Sequence, residues 1–367
     1  MGIKKIIMKK AIIFVTILAL STLTIMPALA DSNNGIFTSL TADTSGGTAP
    51  IVKAKWEANE DKYTDDSTAA GAQFNPSGIK DENKTIAICA VVTDPDGLAD
   101  INNVYADVFY PENIKLGPSH ITLETQSGLD CGQLMQEDKM TRLDKMAGIN
   151  LFCDSVRNSN NNLPTFNTGY NYDEICLDTG ELWKETAAVY CTQKDLSYED
   201  PNGDYKVWAL ALDTNGKQGL LEKHFTYLPM TAFQTDFTSV PYASVRMNIH
   251  KIISGDKTWG NGIASVRNVG NTRLLMGVQQ DDMGFGMTDL QYNVKFDGRV
   301  GSSASFVQYW PNANPENLPD ALDLSEMNEM DFSILVSKFP PTHTDPNYTG
   351  TMTLSAISQA HLTCTPS

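Results

Sequence analysis

Thr85-Ile-Ala-Ile-Cys-Ala-Val-Val-Thr93, running into Asp94-Pro-Asp-Gly97, decides the fold class. Ile86, Ile88, Ala90 and Val92 fall on one face of an extended chain. Ala87, Cys89 and Val91 fall on the other, so the segment reads as a strand buried on both sides. The Pro and Gly that follow suit a tight reversal. Beyond it, residues 103–110 alternate again, with Val104, Ala106 and Val108 opposite Tyr105 and Asp107. Upstream, Val52, Ala54 and Trp56 share one face and Lys53 and Lys55 the other, which predicts a half-buried strand over 51–56. Downstream, residues 204–213 form another strand, apolar on both faces and closed by Thr214-Asn-Gly216, with 220–228 as hairpin partner. Short strands parted by turns, with no helix between them, predict an antiparallel β-sandwich.

Within that sandwich, residues 125–200 read differently. Met135, Met140, Leu143 and Met146 recur near helical period. Leu182, Trp183, Ala187 and Tyr190 do so again after an Asp178-Thr179 cap. A mostly helical insertion over 125–200 is expected, packed on the second face of the 204–213 strand, with Trp183 and Trp208 between them. After Pro229 the pattern is β-rich. A long strand is expected over 240–253, a strand pair 264–269 with 274–279 about Gly270-Asn271, and further strands at 290–300, 329–338 and 348–357. The organisation is therefore mainly β: two antiparallel immunoglobulin-like sandwiches at 50–231 and 232–358, and a polar C-terminal tail at 359–367.

The N-terminus sets the compartment. Lys4, Lys5, Lys9 and Lys10 precede an apolar run without charge to Met26, and Ala28-Leu29-Ala30 is an Ala-x-Ala site. Residues 1–30 read as a signal peptide cleaved before Asp31; Met8 begins an equally good leader. The run is short for a membrane span, and no later stretch is long and apolar enough for one. Residues 31–49, rich in Ser, Thr, Gly and Asn, read as a flexible arm. The whole chain carries 27 basic and 44 acidic residues, a net charge of −17. All four leader lysines leave with the leader, so the mature chain is more acidic still, which excludes nucleic-acid binding.

Six cysteines in an exported chain imply disulfides. Cys131, Cys153, Cys176 and Cys191 cluster without a Cys-x-x-Cys pair or an intervening histidine, which argues against zinc. Three connectivities are open. A helical hairpin would favour nested Cys131–Cys191 and Cys153–Cys176 bridges. Cys364 is then free to cross-link neighbours or to pair with Cys89.

The sharpest chemical candidate is Asp94-x-Asp96-Gly97-x-x-Asp100, whose closely spaced carboxylates could hold calcium, with Asp213 and Asn215 adding ligands if their loop lies near. The motif lacks the bidentate Glu of an EF-hand, and Asp-Pro-Asp-Gly is also a good turn by itself. Asp281-Asp282 reads as a solvated loop. His120, His224, His250, His343 and His361 are scattered, with neither His-Glu-x-x-His nor Gly-x-Ser-x-Gly, so no enzyme is expected. Trp310, beside Tyr309 and before Pro311-Asn312, is the best loop aromatic for a glycan platform. Asn83-Lys-Thr and Asn347-Tyr-Thr are glycosylation sequons. The apolar patch at 35–42 could add a strand to a neighbour's sheet edge.

On Val92-Thr-Asp-Pro-Asp-Gly97 and residues 205–216, the first region resembles immunoglobulin-like and PKD-like sandwiches of cell-surface proteins. Through Val266-Arg-Asn-Val-Gly-Asn-Thr272 and Tyr348-Thr-Gly-Thr-Met-Thr-Leu354, the second resembles sandwich domains of secreted archaeal and bacterial surface or matrix proteins. The whole is similar to exported surface proteins of methanogenic archaea. It departs from antibody-type domains in having no Cys near Trp208 to pair with Cys89. The resemblance implies a fold and carries no catalytic residue. The expected role is a secreted or cell-surface structural or adhesive protein, self-assembling into an envelope layer or filament with itself or other envelope components. The alternative is a monomeric binding module for glycan or a surface protein.

Overall fold

The structure is a computed structural model, and it describes residues 47–67, 69, 71–116, 132–159, 162–340 and 347–363. The leader, the arm through residue 46, Cys131, Cys364, His120 and His343 lie outside the described residues. The described residues form one compact unit.

The first core is held by ten strands: β1 Ile51–Asn59, β2 Gln73–Phe74, β3 Asn83–Thr93, β4 Ile101–Phe109, β5 Leu134–Lys139, β6 Thr141–Arg142, β7 Thr165–Phe166, β8 Ala187–Ser197, β9 Gly203–Asp213 and β10 Gln218–Tyr227. One sheet runs β6-β8-β3-β1-β7 and the other β2-β10-β9-β4-β5. The expected hairpin is present, β9 pairing with β10 from Leu212↔Gln218 to Gly203↔Tyr227. β3 is buried on both faces, Ile86 through Val92 showing no exposed surface.

What covers the outer face of β3 is a helical cap. Helix α1 (Lys145–Ile149) continues as a π-helical turn (Asn150–Val156), followed by the short helices α2 (Tyr172–Cys176) and α3 (Glu181–Lys184). Phe152 of the π turn packs on Trp56 of β1 with ring centroids 5.2 Å apart. Gly148 lets α1 approach closely, since a Cβ there would stand 3.1 Å from a Val189 methyl. Cys153 and Cys176 are bonded, tying α2 to the π turn.

The strand pairing departs from several expectations. The stretch 125–200 is not a mostly helical insertion: Leu134–Lys139 is an edge strand, and Ala187–Ser197 is an eleven-residue strand of the first sheet. Short apolar runs have no period that separates a doubly buried strand from a helix, and the β3 edge claims Ala187–Ser197 by hydrogen bonding. With β8 beside β3, Cys191 stands directly opposite Cys89, and these two are bonded with Cα atoms 4.2 Å apart. The nested Cys131–Cys191 bridge, and a Cys364–Cys89 pairing, are thereby overturned. Nor does β9 turn a second face to the cap. Its inward Tyr205, Val207, Ala209 and Ala211 are buried, whereas Lys206, Trp208, Leu210 and Leu212 are half-exposed. Trp208 instead packs edge-on against Phe109 at 4.8 Å and donates to Glu222 at 2.6 Å, and Trp183 is 37% exposed. β1 is likewise not half-buried. Lys53 bonds Glu181 and lies over the Tyr170 ring, while Lys55 pairs with Glu57 where β1 packs on β10.

A second core lies among β11 Phe233–Thr235, β12 Lys251–Ile253, β13 Ser265–Asn268, β14 Arg273–Gln280, β15 Met287–Thr288, β16 Gln291–Tyr292, β17 Val294–Val300, β18 Val307–Tyr309, β19 Glu316–Asn317, β20 Met327–Val336 and β21 Met352–Gln359. One sheet runs β11-β13-β20-β17-β18, with β12 also on β20; the other runs β19-β14-β21. Val266, Leu274, Met276, Phe296, Phe332 and Ile334 fill the space among them. The long strand expected over 240–253 shrinks to Lys251–Ile253, because Ala243 and Asn248 adopt positive φ (53° and 57°) and break the extended run. β13 and β14 are both strands but do not pair. Asn268 accepts from Gly270 N and donates to the Thr272 carbonyl, a buried crossing that sends the chain from one sheet to the other.

Candidate functional site

Two turns of like sequence meet at one end of the first sandwich. Leaving β3, the Asp94 carbonyl accepts from Gly97 N at 3.0 Å and Asp94 Oδ1 from Asp96 N at 2.8 Å, with Gly97 at φ 110°. Leaving β9, the Asp213 carbonyl accepts from Gly216 N at 3.2 Å, and its Oδ1 accepts from Asn215 N at 2.8 Å and Lys217 N at 2.7 Å. An Asp that hydrogen-bonds the backbone two residues on, with Gly taking the left-handed position, is how each turn closes. Pairing of β4 with β9 places Ile101 opposite Asp213 and so brings the turns together. Thr214 N donates to the Asp100 carbonyl at 2.8 Å, and the Thr214 hydroxyl bonds Asp100 Oδ1.

The carboxylates of Asp94, Asp96 and Asp100 each present an oxygen, all within 4.8 Å of one another. Asp94 is 3% exposed and Asp213 is 1% exposed. In both, Oδ1 serves the turn while Oδ2 is buried without a hydrogen-bond partner. Burial pushes the Asp94 carboxyl up; the Asp96 N–H opposes this, and the charges of Asp100, Asp96 and Asp213 add to the rise. At the rim, Thr48 N donates to Asp96 Oδ2 at 2.5 Å, and Lys217 Nζ donates to the Gly47 carbonyl, so the chain enters the sandwich across this cluster. The structure thus brings Asp213 to the three aspartates read from local spacing. The repeated Asp-x-x-Gly of 94–97 and 213–216 was the available signal for its partner turn.

Elsewhere the predicted residues serve the backbone or lie apart. Asp281 accepts from Met283 N and Thr351 N, and Asp282 from Gly284 N and Gly286 N, so this pair braces loops. Asn83 and Asn347 are exposed, as acceptor asparagines must be. Trp310 is 46% exposed, with Lys295 Nζ 5.9 Å from its ring centre, while Tyr309 is buried. One arrangement was not foreseen: His250 Nδ1 lies 3.1 Å from Ser333 Oγ and 3.2 Å from Asp297 Oδ2. Both contacts fall on the same ring nitrogen. A relay needs the serine on one nitrogen and the acid on the other, so this set does not have the geometry of a nucleophilic triad. Among the described residues, no helix is long and apolar enough to cross a membrane.

No protein-family model matches the chain, and no curated protein matches it. Solved structures show similarity at low scores. One is a chaperone–tip adhesion subunit pre-assembly complex from the archaic chaperone-usher Csu pili of Acinetobacter baumannii (13% identity, 84% of this chain and 99% of that one, TM-score 0.24). A second is a carbohydrate-binding module of the β-sandwich superfamily (9% identity, 85% and 97%, TM-score 0.21). A third is the C-terminal domain of the Streptococcus pyogenes antigen I/II-family protein AspA (11% identity, 85% and 96%, TM-score 0.22). At such scores the architecture rests on the strand pairing described above and not on these likenesses.

Proposed function

We propose that this chain is an exported, non-catalytic surface protein that works by binding or assembly through its sandwich faces. The observation that carries the reading is the Cys89–Cys191 bridge, buried in the first core of a chain whose residues 1–30 read as a basic, apolar, Ala-x-Ala leader. Core disulfides form and persist in oxidising compartments, and a surface of strong negative charge keeps such a chain soluble there. Assembly into an envelope layer or filament is the principal reading. Trp310, exposed beside a lysine, favours a second one, a monomeric module for glycan. Protease shaving of intact cells tests the first premise: peptides of residues 47–363 should be released before lysis. Negative-stain microscopy of the mature protein then separates the two. Ordered filaments or sheets support assembly, while monodisperse particles with glycan-array signal lost in Trp310→Ala support the module. Retention of the chain in the cytosol of intact cells overturns both.

A further inference from the structure

We propose that Asp94, Asp96, Asp100 and Asp213 form a divalent-cation site, selective for calcium, that pins the β3–β4 and β9–β10 turns together where the chain enters the first sandwich. An acidic cluster alone would not carry this. The added observation is the pair of Oδ2 atoms on Asp94 and Asp213, on carboxylates 97–99% buried, that lack any hydrogen-bond partner. Buried polar atoms are rarely left unpaired, and a buried carboxylate oxygen without a donor is among the costliest to leave so. Each residue's other oxygen is already committed to its turn, so neither carboxylate can rotate away without undoing a reversal. The Asp94, Asp96 and Asp100 oxygens stand within mutual reach of one ion. Asp213, one residue from the Thr214 contacts to Asp100, bears electrostatically on Asp94 from the adjoining strand.

Three carboxylate oxygens in mutual reach, with the Asp213 carboxylate beside them from the adjoining turn, suit a large, hard cation that completes its shell of six to eight oxygens with water or carbonyls. Magnesium demands a stricter octahedron and gives up its water reluctantly. Lys217, whose Nζ is held by the Gly47 carbonyl, lies at the rim and offsets part of the negative charge. That places the affinity in the range of extracellular calcium modules, a Kd of about 10⁻⁴ to 10⁻³ M. Gly47 and Thr48 are anchored on the same cluster, so the ion would also fix the start of the sandwich.

The test uses the oxidised full-length mature chain, stripped with chelator, and titrated with CaCl2 or MgCl2 by calorimetry and thermal unfolding at pH 7.5. One calcium should bind per chain and raise Tm by several degrees at 10 mM (about ten or more times Kd). Magnesium should bind more weakly. Asp213→Asn should weaken calcium at least tenfold, as should Asp96→Asn, whose exposed side chain makes loss of folding no explanation. Asp281→Asn should leave the affinity unchanged. Absence of any calcium-dependent heat or Tm shift at 10 mM overturns the site. So does wild-type affinity in Asp213→Asn and Asp96→Asn, which would mean that calcium binds elsewhere.

Discussion

Asp107→Asn should stabilise this protein at neutral pH, against the usual direction for a substitution at a buried position. Asp107 lies on β4, 8% exposed, beside Glu137 and Asp138 of the edge strand β5, and its Oδ1 is buried without a partner. Lys194 is engaged by Asp138 at 3.7 Å and by Gln136, and offers Asp107 no compensating charge. Burial, and then the charges of Glu137 and Asp138, raise the Asp107 carboxyl from 3.8 to about 6. A carboxyl raised on folding holds its proton more tightly in the folded state. Below pH 3.8 both states are neutral and the position costs nothing. As pH rises through 3.8 to 6 the unfolded chain ionises first, stability falls, and above 6 the full cost is present. That cost is about 3 kcal/mol, from 1.36 kcal/mol per pKa unit. Asn cannot ionise. Urea unfolding of wild type and variant should therefore differ by about 2–3 kcal/mol in favour of the variant at pH 7.5. The gap should close towards zero by about pH 3.5. A variant that is neutral or destabilised at pH 7.5, or a gap independent of pH, would refute the reasoning.

Lys55→Ala leaves Glu57 charged and buried between β1 and β10, and should cost about 3–5 kcal/mol by chemical denaturation. Replacing both residues with apolar ones of similar volume should recover most of that loss. Phe152→Ala removes the ring that joins the helical cap to Trp56 and should cost about 3–5 kcal/mol. Hydrogen exchange in this variant should rise in residues 145–158 more than in β9 and β10. Gly219→Ala would put a Cβ 2.0 Å from the Pro50 carbonyl oxygen, so a drop in Tm of several degrees is expected.

Local chemistry was legible in the sequence wherever a turn announced itself. The Asp-Pro-Asp-Gly97 and Asp213-Thr-Asn-Gly216 reversals marked the ends of β3 and β9, and the hairpin to β10 followed from the second. What could not be read locally was long-range pairing. Ala187–Ser197 belongs to the sheet because β3 offers it an edge, and only that register sets Cys191 against Cys89, 102 residues away in sequence. Lys53 and Lys55 read as solvent-facing because their partners, Glu181 and the buried Glu57, are recognisable only once the cap and β10 have closed over β1. The candidate site divides the same way. Asp94, Asp96 and Asp100 were visible from spacing, whereas Asp213 could be named only on condition that its loop lay near, a condition the β4–β9 pairing meets by setting it beside Asp94.

Peptide mapping of the protein purified from its native cells by mass spectrometry, without reduction, tests the central claim most directly. Cys89 should be recovered linked to Cys191, and Cys153 to Cys176. Recovery of Cys191 joined to Cys131, or of Cys89 and Cys191 as free thiols, would contradict both the β3–β8 register and the oxidising compartment in which this chain is held to fold.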